Sequence, residues 1–195
     1  MKRQRTAHLV SNILNPFWLS LALILTLSFV SAPTKLDAIK WSLIAAAFSI
    51  LPVFVVIILL VRKGKLDAVY INVRRQRTKI YFLVGLCSIV GSILLAYLKA
   101  PPLLVAAFIS GLSTAFIFMF INLWWKISLH TAFVAGSATI LVIVFGWTAI
   151  ISMPLIPLTA WSRVELKRHS LSQVVGGALL ATVIAVVVFN RFALA

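Results

Sequence analysis

The chain has 195 residues, of which 63% are hydrophobic and only 11% charged, and its mean hydropathy is +1.12. Soluble domains carry about 25% charged residues, so this composition excludes a soluble fold and indicates an integral membrane protein. The apolar runs are continuous, which excludes a transmembrane β-barrel and predicts an all-α, polytopic transmembrane helical bundle. We expect one integral membrane domain over residues 1–195.

The charge balance narrows the possible partners. A net charge of +15 arises from 18 lysines and arginines against three carboxylates. The cations flank the apolar runs, which favours membrane lipids over nucleic acid as partners. So few carboxylates do not supply an oxygen cage for a metal ion, and the lone Cys87 supplies neither a disulfide nor a cysteine zinc site. We therefore expect no metal and no cofactor.

The apolar runs divide the chain into spans, since a membrane-spanning helix needs about 20 apolar residues. The first run follows a basic N-terminus and is predicted to be an uncleaved span. The segment 130–162 is ambiguous: it forms either one tilted span plus a loop, or two short spans with a turn near Phe145-Gly146-Trp147. Six to seven crossings result. The clear spans are predicted at about 14–33, 40–61, 80–98, 102–123 and 171–190.

Two short polar patches interrupt this apolar sequence. The first contains Ser128 and His130, and the second contains Arg163, His169 and Gln173. Histidine transfers protons or attacks electrophiles near neutral pH, and the arginine fork matches phosphate oxygens. Gln173 follows His169 by four residues, so on a helix its oxygen can accept the imidazole N–H. The alternatives are an interfacial cluster of snorkelling cations and, for Ser128, a helix N-cap.

Together the patches resemble the second and third motifs of the type 2 phosphatidic acid phosphatase family, Pro-Ser-Gly-His and Ser-Arg-x5-His-x3-Asp. The chain has Ser-Leu-His ending at His130, and Ser-Arg-x5-His-x3-Gln ending at Gln173. Leu129 stands where the family has glycine, and Gln173 where it has aspartate. The resemblance covers a core of about 62–190, which follows the first spans at about 14–61.

The first family motif, Lys-x6-Arg-Pro, has no full counterpart. Arg77 is the best match to its arginine, with Arg74 close behind, and neither is followed by proline. Lys79 is a candidate substitute for the motif lysine. The alternative for this connection is an ordinary basic loop.

The resemblance implies metal-independent hydrolysis of a lipid phosphate or a prenyl diphosphate through a phosphohistidine intermediate. His169 is then the nucleophile and His130 the general acid, and Gln173 completes the catalytic set. The departures from the motifs leave an alternative, a catalytically weakened phospholipid-binding or transport protein on the same fold. A purely structural membrane protein is the third possibility. The phosphate ligands implied are Arg163, Ser128, Arg77 and Arg74.

The two-span reading of 130–162 brings both patches to one face of the membrane. The N-terminal tail and the 62–79 connection lie on that face, which then holds most of the cations. The positive-inside rule makes it cytoplasmic. The sequence therefore predicts a multi-pass protein of the cell membrane with its active site on the cytoplasmic side.

Overall fold

The computed structural model describes residues 2–66 and 74–192, with only the backbone of residues 74 and 75. Helices are the only regular secondary structure in these ranges, which confirms the all-α prediction. A 3-10 helix, Gly146–Ser152, lies between α6 and α7. The α-helices are α1 (Lys2–Ile13), α2 (Pro16–Ser31), α3 (Lys35–Arg62), α4 (Arg74–Tyr97), α5 (Pro102–Ile121), α6 (Leu129–Phe145), α7 (Leu155–Glu165) and α8 (Leu171–Phe192).

Several helices are long and apolar enough to cross a membrane. Within the described residues there are five: α3, α4, α5, α8 and the continuous segment of α6 with its 3-10 extension. The pair α1 and α2, bent by 41°, makes a sixth if it counts as one span. The protein is therefore an integral membrane helical bundle, with five or six candidate spans where the sequence predicted six to seven.

The first predicted span, 14–33, is preceded by a helix that the sequence did not predict. The break between α1 and α2 falls at Asn15, whose side-chain oxygen accepts hydrogen bonds from the N–H groups of Phe17 and Trp18 at 2.9 and 3.2 Å. Pro16 occupies the first position of α2, where its missing N–H costs little. Capping by Asn15 therefore starts a new helix at this point.

The ambiguous segment 130–162 reverses direction. α6 ends at Gly146, whose φ of +66° is a left-handed conformation that glycine adopts without steric cost. The 3-10 helix continues the segment of α6, and the chain turns at Met153 and Pro154 before α7, which packs against α6. α7 has 11 residues, too few for a span by itself. A break in the helix lies where the turn was predicted, but the return limb begins later and consists of the short α7.

The packing of the bundle brings several helix ends together. α8 packs against α5 and α6, α4 packs between α3 and α5, and α1 lies against α7. At one end, Asn122 after α5 donates a hydrogen bond to Thr78 in α4 at 3.3 Å. The same end holds the starts of α6 and α8, and hence both polar patches. The central core includes the fully buried side chains of Leu27, Ala45, Leu104 and Phe189.

Candidate active site

Backbone and side-chain contacts join the polar segments at this end of the bundle. The N–H of Ser128 donates to the carbonyl oxygen of Gln173 at 3.2 Å. The guanidinium of Arg77 donates to the carbonyl oxygen of Ile127 at 3.1 Å. These two contacts link the 62–79 connection, the first patch and the second patch, which lie far apart in the sequence.

Four predicted site residues line one cavity of about 290 Å³: Arg77, His130, Arg163 and His169. Their side chains are buried, with 5–7% of each residue exposed. No carboxylate lies among the described lining residues. The guanidinium groups of Arg77 and Arg163 carry positive charge at this cavity, and an anion placed beside them is stabilised, so this arrangement favours an anionic ligand.

The end of α7 positions His169 beside Arg163. Lys167 has a left-handed backbone, with φ at 53°. The N–H of Lys167 donates to Val164 at 2.9 Å, and the N–H of Arg168 donates to Arg163 at 3.1 Å. This pair of bonds is a Schellman motif, which terminates a helix and turns the chain back. The turn lets the N–H of His169 reach the Arg163 carbonyl at 3.4 Å.

The imidazole of His169 has a defined tautomer. Its Nδ1 lies 3.0 Å from Oε1 of Gln173, the contact that the four-residue spacing predicts. The same oxygen accepts a hydrogen bond from the N–H of Ser170 at 3.3 Å, which identifies it as the amide carbonyl. Nδ1 therefore carries the hydrogen and donates a hydrogen bond to Oε1 of Gln173, and Nε2 carries the lone pair.

The surroundings keep this imidazole neutral. Burial is the largest cause that lowers the pKa of His169 from its ordinary value of 6.5, and with the nearby charges of Arg77, Arg163 and Lys126 it brings the pKa to about 3. The hydrogen bond to Gln173 opposes the shift in part. At neutral pH the ring is therefore in the form that acts as a nucleophile.

The hydroxyl of Ser128 is fully buried, and among the described residues it has no hydrogen-bond partner. Ser128 holds the N-cap position of α6, but its side chain makes no capping bond. Ser128 therefore occupies the N-cap position that was considered, but its hydroxyl does not cap the helix. A buried polar group without a partner costs about 1–3 kcal/mol, so this site favours a polar ligand.

His130 lies in the first turn of α6, where the backbone N–H groups have no partners within the helix. Its side chain lines the same cavity as Arg77, Arg163 and His169. The structure thus brings His130 and His169 to one cavity, as the two-span reading of 130–162 requires.

Two other basic residues that were proposed from the sequence, Arg74 and Lys79, are not among the described side chains that line the cavity. Arg74 is the first residue of α4, and its side chain lies outside the described part of the chain. Lys79 is exposed to solvent, which argues against its proposed role as the motif lysine.

Lys126 was not singled out from the sequence as a site residue. Its Nζ donates to the carbonyl oxygen of Arg168 at 3.0 Å. Burial lowers the pKa of its ammonium, and the charges of Arg77, Arg163 and Arg168 lower it further. The one signal in the sequence was its position two residues before Ser128.

Ser11 is the second residue that sequence reasoning missed. Its buried hydroxyl oxygen accepts a hydrogen bond from the Arg163 guanidinium at 2.7 Å. Nearby, Arg3 forms an ion pair with Glu165 at 2.9 Å. Ser11 in α1 thus orients Arg163 although it lies outside the two polar patches. No local sequence pattern predicts a contact between residues 152 positions apart.

Comparisons of the chain with protein-family models, with curated proteins and with solved structures gave no match. In the described residues, no group of three His, Cys, Asp or Glu side chains is arranged to hold a metal ion. The fold and the site define an integral membrane helical protein with a buried cationic cavity that contains two histidines.

Proposed function

We propose that the protein is a membrane phosphatase that hydrolyses a lipid phosphate or a prenyl diphosphate through a phosphohistidine, without a metal ion. The observation that carries this proposal is the neutral, oriented imidazole of His169 in a cavity lined by arginines. Catalysis of phosphoryl transfer is mainly positioning and charge stabilisation, which such a cluster supplies. The resemblance of the two polar patches to motifs of the type 2 phosphatidic acid phosphatases also supports this proposal.

The first half of the reaction transfers the phosphoryl group to the protein. The Nε2 lone pair of His169 attacks phosphorus, and an N–P bond forms as the P–O bond to the leaving group breaks. The leaving oxygen takes a proton from the imidazolium of His130. The bound phosphate favours that protonated form, because an anion nearby stabilises a cation.

The second half regenerates the protein. Water attacks phosphorus and gives one proton to His130, and the N–P bond breaks. Inorganic phosphate leaves, and His169 returns to its neutral form. Arg77, Arg163 and the Ser128 hydroxyl hold the phosphoryl oxygens throughout, with Lys126 adding positive charge nearby.

The test is phosphate release from phosphatidate and prenyl diphosphates by the protein in detergent with a metal chelator. We expect His169→Gln to lower the rate by at least about a thousandfold, as loss of a nucleophile does elsewhere. His8→Gln is the matched control, since His8 is exposed on α1 and lies outside the cavity. An unchanged rate in His169→Gln would contradict the mechanism.

A second candidate is a phospholipid-binding or transport protein with weakened catalysis. It is favoured by Gln173, which brings no charge to His169, and by Leu129, which is bulkier than the glycine of the motif. Tight binding of a lipid phosphate with no phosphate release over many hours would favour this candidate over the phosphatase.

The proposal also includes the location. We place the site on the cytoplasmic side of the cell membrane, because the end of the bundle that carries it holds most of the cations. Thiol accessibility at the two ends of α3 tests this placement.

A further inference from the structure

The cavity at the site continues into the interior of the bundle, where residues of α2, α3, α4, α5 and α6 line it. Its lining runs along α4 from Arg77 to Ser88 and along α6 from His130 to Ile140. Each stretch corresponds to about 15 Å of helix at about 1.5 Å per residue. One leaflet of a hydrocarbon core is also about 15 Å thick. The length of the cavity thus matches the depth that one lipid chain occupies in a leaflet.

The deep part of the cavity presents apolar surface. Its hydroxyl-bearing residues include Ser49, which donates to the Ala45 carbonyl at 2.6 Å, and Thr114, which donates to Ser110 at 2.8 Å. Hydroxyls bonded to their own helix are satisfied without a ligand. Other lining residues are aliphatic or aromatic: Ile24, Ile50, Val53, Val84, Phe108 and Ile140.

We infer that this cavity holds the hydrocarbon chain of the substrate, and that the substrate is a single-chain phosphate or diphosphate lipid. The inference rests on the proposed function. Arg77 and Arg163 lie at the charged end of the lining and apolar side chains at the other, which matches an anionic head on an apolar tail. The volume of about 290 Å³ is at the lower limit of the roughly 300–1,000 Å³ typical of small-ligand pockets. It suits one chain and not two.

A chain that enters the cavity from the membrane exchanges one hydrocarbon environment for another, so it gains little free energy for each methylene. The cavity is therefore expected to limit chain length and chain number, while the cations supply most of the affinity. Selectivity should appear as a length limit, and not as affinity that rises steadily with length.

Cys87 offers a direct probe, since the only cysteine of the chain lines this cavity. The rate of its reaction with N-ethylmaleimide is measured with alkylphosphonates of increasing length, whose P–C bond a phosphatase does not cleave. We expect methylphosphonate to give no protection and long single-chain phosphonates to slow the reaction about tenfold. In the control Cys87→Ser/Val90→Cys, the thiol lies on the exposed face of the same helix and should not be protected.

A second variant tests the length limit. Ala107 lines the deep part of the cavity, so Ala107→Phe should weaken binding of long-chain phosphonates about tenfold and leave short-chain binding unchanged. Ile117→Phe adds the same ring on an exposed face of α5 and should change neither.

The outcomes separate the two proposals. Phosphonates that bind, as judged by thermal shift, but neither protect Cys87 nor respond to Ala107→Phe would overturn the chain site alone. Equal protection by two-chain and single-chain phosphonates would overturn the single-chain substrate. Absence of phosphonate binding together with absence of hydrolysis would overturn the proposed function itself.

Discussion

Gln173 holds His169 in the reactive tautomer but brings no charge to it. In the proposed reaction the imidazole gains positive charge when Nε2 bonds to phosphorus, and a hydrogen bond from Nδ1–H to a carboxylate would stabilise that charge more than one to an amide does. Gln173 therefore orients the imidazole, whereas the positive charge that the ring gains in the proposed reaction must be stabilised by the bound phosphate.

This reasoning predicts that Gln173→Glu, which keeps the side-chain length, accelerates formation of the phosphoenzyme. A gain of about 1.4 kcal/mol in the transition state corresponds to about tenfold in rate. A carboxylate also raises the pKa of His169 above its present value of about 3, so the acid limb of the pH–rate profile should move to higher pH. Rapid-quench measurement of the phosphoenzyme across pH checks both effects.

The matched control is Gln173→Met, which has similar length and no strong acceptor. It should slow the reaction, because nothing then selects the Nδ1–H tautomer. A Gln173→Glu rate at or below that of the parent, with an unmoved acid limb, would show that the charge on this side chain does not limit turnover.

At the residue scale, the sequence predicted the contact of His169 with Gln173 because a four-residue spacing is local to one helical turn. It did not predict Lys126 or Ser11, whose partners are distant in the chain. Their contacts depend on how α1, α7 and the 122–128 loop pack, and no periodicity records that packing.

The approach of α8 to the first patch depends on one glycine. A Cβ on Gly177 would lie 2.6 Å from the backbone oxygen of Ser128, a distance that real Cβ atoms do not show. The absent side chain therefore allows the Ser128 N–H to reach the Gln173 carbonyl. Gly85 in α4 is different, since a Cβ there would meet only Phe116, at 4.0 Å.

We predict that Gly177→Ala destabilises the protein by about 1–3 kcal/mol, because a methyl group in a packed site forces the backbones apart. Activity should fall by more than the loss of folded protein explains, since Ser128 and His130 move with the backbone. Gly85→Ala should instead stabilise by up to about 1 kcal/mol, because alanine is the better helix former. Thermal unfolding in detergent and phosphate release measure the two effects, and equal behaviour of the two variants would contradict the prediction.

At the scale of elements, apolar run length predicted the span-length helices, since length and hydropathy are local properties. The predicted 14–33 span begins before α2 because Asn15 caps a new helix that starts at Pro16. The segment after Gly146 was predicted as a second span, but its first part is a 3-10 helix that continues the segment of α6, and only the short α7 follows Pro154.

The distribution of charge along the whole molecule is uneven. The end with the site carries the cations around α1, after α3 and before α8, whereas Lys35, Lys40, Lys99 and Arg191 lie toward the other end. The predicted cytoplasmic placement depends on that difference, although two of these cations, Arg77 and Arg163, also line the cavity.

Single cysteines at the two ends of α3 test the placement, in a Cys87→Ser background. Lys35 precedes the helix core and Lys65 follows its end, and both side chains are exposed. With a membrane-impermeant maleimide on intact cells, Lys35→Cys should be labelled at once, and Lys65→Cys only after permeabilisation. The opposite pattern would place the site on the outer face.

The hydrogen bond between Ser11 and Arg163 joins residues 152 positions apart. During synthesis, the first helix is made long before the arginine that it orients. The early helices can therefore enter the membrane without a finished anion site among them. A chain released before α7 would retain most of its apolar helices but lack Arg163 and His169, so under the proposed function its anion site would be incomplete. If the proposed function is right, the ligand can therefore bind only when the polypeptide is nearly complete.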